Sequence, residues 1–313
     1  MEELNNIQKK PVVLAIDDER LVLSAMRRLL KPHYHILTTE NGEEALELLR
    51  KIHVDVIISD QRMPNMTGTE LLTKAKKISP FSIRLLLTGY SDTTAIEGAI
   101  NDAEIFRFIS KPWKNQDVLN LLEKTTQIAQ QNYQRQSIRQ LPTKKDVEQV
   151  KAQSRCLILD HYNQVYPVVK QLVGKHLTIS HVSDASEAID FLAKTRCSVM
   201  VVSLSKDNSD HELGLTKILK SSLPTLMIIV IAKSGDSSQM INLINEGQIY
   251  RYITRPLRLA SLKMYLLSAI RYHTMLKKNP QLIRQHEVEP IKHIEQRKFA
   301  DRAYSTLKKI FNF

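Results

Sequence analysis

Apolar runs and amphipathic stretches alternate along this chain. In the first 131 residues, five short apolar runs have the length of buried strands, and a stretch with helical spacing follows each of them. Because several runs are apolar throughout, as strands covered on both faces are, the pattern favours a doubly wound, five-stranded parallel sheet. The predicted strands are Val12–Ile16, His35–Thr38, Val54–Ser59, Ile83–Leu87 and Phe106–Ile109, and the predicted helices are Arg20–Leu30, Gly42–Lys51, Gly68–Lys77, Thr93–Asn101 and Gln116–Gln131.

The same order recurs in the second half of the chain. An offset of 144 residues superposes Ile105–Pro112 on Ile249–Pro256 and Ile57–Ser59 on Val201–Ser203. We therefore expect the duplication of a whole domain, giving an α/β protein with two tandem flavodoxin-like sheets. Its predicted strands are Cys156–Leu159, Leu177–His181, Val199–Leu204, Met227–Ala232 and Tyr250–Ile253.

The segments around these two copies complete the predicted organisation. A long helix from Gln116 to about Gln140 joins the copies and ends near Pro142, because proline disfavours helix at the residue before it. An amphipathic helical tail follows the second copy. The predicted parts are residues 9–130, a linker at 131–152, a second domain at 153–275 and the tail at 276–313.

Composition places the chain among ordinary globular proteins. It has 313 residues, of which 42% are hydrophobic and 25% are charged. No apolar run approaches the roughly 20 residues of a membrane span, and the N-terminus is too polar for a signal peptide. Two cysteines, Cys156 and Cys197, cannot form a disulfide scaffold, so we expect a cytoplasmic protein.

Charge is distributed unevenly. The first 130 residues carry 17 Lys and Arg against 18 Asp and Glu, and the remaining 183 carry 28 against 15. The basic tail has three interpretations: packing on the second domain or in a dimer, binding nucleic-acid phosphates, or lying on an anionic membrane. Its aromatic residues fit a core or an interface better than base stacking, so the first is favoured. Nucleic acid stays a disfavoured partner.

Polar residues at the predicted strand ends carry the candidate chemistry. Asp17 and Asp18 follow the first strand, Asp60 follows the third, and Thr88 and Lys111 follow the fourth and fifth. The carboxyl ends of parallel strands meet at one edge, so these side chains are expected together. Mg²⁺ would relieve the repulsion between the carboxylates, and lysine pairs with a carboxylate or a phosphoryl group. The pattern predicts a phosphoryl-transfer site.

Residues 9–130 resemble a response-regulator receiver domain of two-component signalling. The resemblance lies in Ala15-Ile16-Asp17-Asp18-Glu19, Ile58-Ser59-Asp60-Gln61-Arg62-Met63-Pro64, Leu87-Thr88-Gly89 and Ile109-Ser110-Lys111-Pro112-Trp113. It is similar to receivers that are often joined to HD-GYP phosphodiesterases, but no HD-GYP, EAL or GGDEF catalytic motif follows.

The resemblance implies a role for each of these residues. Asp60 would accept phosphate from a sensor histidine kinase or a phosphotransfer protein. Mg²⁺ would be held by Asp18, Asp60 and the backbone carbonyl of Arg62, with Asp17 acting through water. The phosphoryl group would be contacted by Thr88 and Lys111, and the aromatic switch would be Phe108.

The second copy lacks this set of residues, and we expect a degenerate receiver that is not phosphorylated. The 144-residue offset places Leu204 opposite Asp60, Ala232 opposite Thr88 and Arg255 opposite Lys111. One acidic position survives as Asp160, and the next residue is His161. Such a copy retains its surface for docking a protein partner or for dimerisation, unless it merely packs against the first copy.

The sequence therefore predicts a non-enzymatic signalling protein, with one working receiver, one pseudo-receiver and a downstream protein partner. Homodimerisation is one way in which it would act, and a phosphate sink for a kinase is a variant. The alternatives are a phosphorylation-controlled nucleic-acid-binding regulator and an enzyme or cyclic-nucleotide sensor with unrecognised chemistry in the second half.

Overall fold

The chain divides into two compact units, unit 1 (residues 1–137) and unit 2 (residues 138–313). The computed structural model describes residues 10–89, 93–134, 154–204, 209–233, 237–247 and 249–278, apart from some side chains within helices. Two of the predictions above concern the linker beyond residue 134 and the tail from residue 279. Both segments lie outside the described residues.

Unit 1 is a five-stranded parallel sheet with the order β2-β1-β3-β4-β5, which is the flavodoxin-like order. Helices connect successive strands, as parallel pairing requires. The strands are β1 (Val12–Ile16), β2 (His35–Thr39), β3 (Val56–Asp60), β4 (Ile83–Thr88) and β5 (Arg107–Ser110), and the helices are α1 (Arg20–Leu30), α2 (Gly42–Lys51), α3 (Gly68–Ile78), α4 (Thr93–Gly98) and α5 (Asn115–Gln134).

Most ends of the elements of unit 1 lie within one residue of the predicted bounds, and two larger differences lie in β3 and in the fourth helix. β3 begins at Val56, two residues later than predicted, although Asp55 bonds to both neighbouring strands: its N–H donates to the Val12 carbonyl and its carbonyl accepts from the Ile83 N–H, each at 2.9 Å. The α-helical part of the fourth helix stops at Gly98 and continues as a wider π-helical turn over Ala99–Ala103. Neither difference moves a predicted strand within the sheet.

Buried apolar side chains on the strands pack against helices to form the core of unit 1. The capping box of Thr67 and Glu70 fixes the start of α3, where the Thr67 side chain accepts from the Glu70 N–H and the Glu70 carboxylate accepts from the Thr67 N–H. One core cluster includes Val13, Met26, Leu30, Val56, Ile58, Leu85, Leu87, Val118 and Leu122.

Unit 2 repeats this topology, with the strand order β10-β9-β8-β6-β7. Its core cluster joins β6, β8, β9 and the first and last helices, and it includes Ile158, Val169, Val201, Ile229 and Leu266. The strands are β6 (Arg155–Leu159), β7 (Thr178–Val182), β8 (Val199–Ser203), β9 (Met227–Ala232) and β10 (Arg251–Thr254), and the helices are α6 (Tyr166–Val173), α7 (Ala185–Lys194), α8 (Ser209–Ser222), α9 (Ser237–Asn242) and α10 (Leu259–Lys278).

Strand register relates the two units by two offsets rather than one. Val13 pairs with Val56 in unit 1, and Cys156 pairs with Val199 in unit 2, so the first and third strands correspond at an offset of 143 residues. The fourth strands, β4 and β9, correspond at 144. Unit 2 therefore has one extra residue between its third and fourth strands.

Two other sequence expectations concern the described residues of the whole chain. None of the helices that can be described is both long and apolar enough to cross a membrane. Cys156 and Cys197 are free, the former buried in β6 and the latter half-buried before β8. Burial raises the pKa of the Cys197 thiol to about 12, so this thiol is protonated at neutral pH.

Candidate functional site

The carboxyl ends of β1, β3 and β5 bring three of the predicted site residues into direct contact. Lys111 Nζ lies 2.8 Å from Asp17 Oδ2 and 2.5 Å from Asp60 Oδ1. Asp17 follows β1, Asp60 is the last residue of β3, and Lys111 follows β5. The fold thus joins positions that are far apart in sequence, at the edge where doubly wound sheets bind ligands.

Burial makes this ion-paired cluster unusual. Only 1% of the Asp17 side chain and 8% of the Asp60 side chain are exposed, whereas 23% of the Lys111 side chain reaches solvent. Burial raises the pKa of Asp17, although hydrogen bonds from Lys111 and from the Glu19 N–H oppose the rise. Desolvation disfavours the Lys111 ammonium, but its bonds to Asp17 and Asp60 outweigh this and raise the pKa of Lys111.

Thr88 lies on β4, which is next to β3, and Phe108 lies on β5, the edge strand beyond β4. Thr88 ends β4 and is buried, and its carbonyl accepts a hydrogen bond from the Lys111 N–H at 2.9 Å. Phe108 in β5 pairs with Leu86 in β4. Only 3% of Phe108 is exposed, so its ring already lies inside the unit. Thr88 thus contacts the residue that follows β5, and Phe108 lies within β5 three residues before Lys111.

Asp18 and Arg62, two of the expected metal ligands, lie next to the ion-paired cluster. The Asp18 side chain is exposed beside Asp17, and the contact of Arg62 with Asp60 is made by its N–H, which donates to Asp60 Oδ2 at 2.6 Å. Among the residues that the structure describes, no group of three or more His, Cys, Asp or Glu side chains is placed to hold a metal ion. Lys111, rather than a third carboxylate, bridges Asp17 and Asp60.

The donor chemistry of the site nevertheless suits Mg²⁺. This ion uses one or two carboxylates and keeps several waters, so it does not need a cage of protein ligands. Asp17 and Asp60 supply two hard oxygen donors at one strand edge, and Asp18 adds a carboxylate on the solvent side. These residues fit the ion by type and number.

Gly68 is a positioning residue that the motif comparison missed. Its N–H donates to the Gln61 carbonyl at 3.1 Å, and a Cβ at this position would lie 2.1 Å from the Asp60 carbonyl oxygen. α3 can therefore start this close to the end of β3 only because residue 68 has no side chain. The lone glycine between Thr67 and an amphipathic stretch was the available signal.

In unit 2 the residue that corresponds to Asp60 is Ser203, and the prediction of Leu204 is wrong. Asp60 pairs with Leu87, while Ser203 pairs with Ile231, the counterpart of Leu87. The 144-residue offset holds for the last two strands, but the extra residue in unit 2 shifts the third strand by one position. Leu204 instead corresponds to Gln61, since both donate an N–H to the fourth strand.

The other predicted counterparts follow the register. Asp160 corresponds to Asp17, because their N–H groups donate to Val182 and Thr39, the last residues of β7 and β2. His161 is then the counterpart of Asp18 and is exposed. Ala232 ends β9 as Thr88 ends β4, and the Arg255 N–H donates to the Ala232 carbonyl as Lys111 does to Thr88.

Comparison with known proteins agrees with the geometry of unit 1. The family model described as response regulator receiver domain matches residues 13–123. Unit 1 is a receiver domain. Unit 2 has the same topology without the acidic set at its carboxyl edge.

Two similar curated proteins each match less than half of this chain. The hydrogenase transcriptional regulatory protein HoxA of Cupriavidus necator is 39% identical over 105 residues, 34% of this chain and 22% of that protein. The DNA-binding transcriptional regulator NtrC of Escherichia coli is 30% identical over 131 residues, 42% of this chain and 28% of that protein. The chain thus spans about a quarter of the length of these two relatives.

Solved structures also resemble the receiver. The signal receiver domain of an HD domain-containing protein from Pseudomonas fluorescens Pf-5 is 33% identical and covers 42% of this chain and 96% of its own, with a TM-score of 0.40.

Proposed function

We propose that the protein is a two-component response regulator in which Asp60 accepts a phosphoryl group from a sensor histidine kinase or a phosphotransfer protein. The observation that carries the proposal is the contact of Lys111 with both Asp17 and Asp60. The Asp60 carboxylate at the open edge of the sheet can act as a nucleophile. The Lys111 ammonium beside it is a cation that can neutralise the negative charge of an incoming phosphoryl group.

Each side chain of the site has a part in this proposal. Asp60 Oδ1 or Oδ2 attacks the phosphorus of a phosphohistidine on the donor protein, the phosphorus–nitrogen bond breaks, and its electron pair leaves with the donor imidazole. The Lys111 ammonium moves from the carboxylate to a phosphoryl oxygen. Thr88 contacts the phosphoryl group through its hydroxyl. Phe108 transmits the conformational change that follows phosphorylation to the surface of β5. Asp17, Asp18, Asp60 and the Arg62 carbonyl would hold Mg²⁺, which would supply charge neutralisation at the transferring group.

Unit 2 serves in the proposal as a module for binding a downstream protein or a second copy of the chain. Ser203 offers no carboxylate for an acyl phosphate, and β10 and α10 take the places in unit 2 that β5 and α5 take in unit 1. The division at 9–130, 131–152, 153–275 and 276–313 and a cytoplasmic location belong to this proposal. No observation on the described residues favours the nucleic-acid alternative.

Intact-mass measurement after incubation of the full chain with acetyl phosphate and Mg²⁺ tests the proposal. We expect one phosphoryl adduct, lost in Asp60→Asn and when the metal is chelated. Ser203→Ala is the matched control in unit 2 and should keep the adduct. Labelling that persists in Asp60→Asn, or an adduct that maps to unit 2, would refute the assignment of Asp60.

A further inference from the structure

The carboxyl edge of unit 2 holds a half-buried arginine without a carboxylate partner. Arg255 Nη2 donates to Ser203 Oγ at 3.1 Å, at the place where Lys111 contacts Asp60 in unit 1. Within the described residues, Arg255 forms no ion pair within 4.0 Å. A guanidinium has five N–H donors, and a hydroxyl neutralises none of its charge.

The remaining carboxylate of this edge is engaged elsewhere. Asp160 is 2% exposed, and its Oδ2 accepts a hydrogen bond from the Val165 N–H. Asp160 thus accepts a hydrogen bond from the backbone just before α6 and does not pair with Arg255. In unit 1, by contrast, the counterpart Asp17 bonds directly to Lys111.

A second cation lies beside Arg255. Lys233 directly follows β9 and is exposed, and the Arg255 N–H bonds to the preceding residue, Ala232, at 2.9 Å. Counting the described side chains only, this edge presents Arg255 and Lys233 against Asp160, whereas unit 1 presents Asp17, Asp18 and Asp60 against Lys111. Among these described strand-end side chains, the sign of the net charge is therefore reversed between the units.

We propose that the carboxyl edge of unit 2 binds a phosphate monoester or free phosphate non-covalently through Arg255 and Ser203. The planar guanidinium fork matches two oxygens of a phosphate group, and the Ser203 hydroxyl donates to a third. Lys233 adds attraction from the solvent side. No carboxylate at position 203 repels the anion, and this edge is where doubly wound sheets accept ligands. Unit 2 would then sense the anion that unit 1 carries covalently.

Isothermal titration of the full chain with inorganic phosphate and with glycerol phosphate, without Mg²⁺ and at constant ionic strength, tests this proposal. We expect saturable binding that Arg255→Gln weakens by about tenfold or more, because charge-assisted hydrogen bonds are lost. Arg258→Gln removes an exposed arginine three residues away and should bind as the unchanged protein does. Tighter binding of glycerol phosphate identifies a monoester site, and equal binding identifies a site for free phosphate.

Two further variants keep the test decisive if Arg255→Gln fails to fold, as judged by circular dichroism. Arg255→Lys retains the charge without the fork and should bind with intermediate affinity. Ser203→Asp places a carboxylate against the guanidinium and should abolish binding while leaving acetyl phosphate labelling of Asp60 intact. Absence of saturable binding, or binding that is equal in Arg255→Gln and the unchanged protein, would overturn the proposal.

Discussion

The two units share a fold but differ at the edge where chemistry is expected. In unit 1 a lysine lies between two buried carboxylates, and in unit 2 an arginine at the same position contacts a serine. The strand order and the hydrogen bond from the fifth-strand end to the fourth strand are the same in both. The scaffold is therefore independent of the acidic set, and the difference between the units lies in a few side chains at the strand ends.

A second contrast lies away from that edge, on the third helix of each unit. Ser79 and Leu223 donate their N–H groups to Ala75 and Leu219, so Lys76 in α3 corresponds to Lys220 in α8. Lys76 forms an ion pair with Glu104 at 3.1 Å, whereas Lys220 is buried and donates to the carbonyls of Pro224 and Leu226. At this lysine position, unit 1 has an ion pair and unit 2 has two neutral carbonyl acceptors.

The largest expected effect follows from this burial. Desolvation lowers the pKa of Lys220 from 10.5 to about 7, so between these values the unfolded chain binds a proton that the folded unit does not. Stability of unit 2 therefore rises with pH across this window, by on the order of 4 kcal/mol from this group. Lys220→Met should remove that gain in urea unfolding compared at about pH 7 and about pH 10.

Lys76→Met is the matched control for that experiment. Its ion pair is partly exposed, with 33% and 31% of the two side chains accessible, so its loss should leave the rise with pH in place. All other titrating groups are common to the two variants and cancel in the comparison. An equal pH dependence in Lys220→Met and Lys76→Met would show that Lys220 is not the source.

The sequence was sufficient for the topology and for the strand ends of unit 1. Alternation of apolar runs and amphipathic helices determines a parallel sheet, and parallel strands gather Asp17, Asp60 and Lys111 at one edge. It was not sufficient for Ser203, because an offset taken from the last strands hides a single extra residue in an earlier loop. The bridging position of Lys111 depends on side-chain packing, which periodicity does not encode.

The next largest effect distinguishes the two carboxyl edges. Lys111→Met leaves the buried carboxylates of Asp17 and Asp60 without their cation, and we expect a loss of about 3 kcal/mol in the stability of unit 1 without Mg²⁺. Added Mg²⁺ should restore much of it, because the ion neutralises the same carboxylates. Thermal unfolding with and without Mg²⁺ measures both changes.

Arg255→Met is the corresponding change in unit 2. Its partner is a neutral hydroxyl at 3.1 Å, so the cost should be about 1 kcal/mol or less and should not respond to Mg²⁺. If both variants lost the same stability, or if Mg²⁺ rescued both equally, the electrostatic contrast between the units would be wrong.

A smaller effect than that of Lys111→Met concerns the close approach that holds Asp60 in place. A Cβ on Gly68 would lie 2.1 Å from the Asp60 carbonyl oxygen and 2.9 Å from its carbon, so Gly68→Ala must displace α3 from β3. We expect a loss of about 2 kcal/mol, typical of overpacking, and slower acetyl phosphate labelling because Asp60 moves.

Gly89→Ala at the same edge is the control: its added Cβ would meet nothing within 4 Å, so this change should be tolerated. Unit 2 has His211 or Glu212 at the corresponding position, depending on where its extra residue falls, so this close approach belongs to the unit with the acceptor. Normal labelling in Gly68→Ala would mean that the start of α3 does not position Asp60.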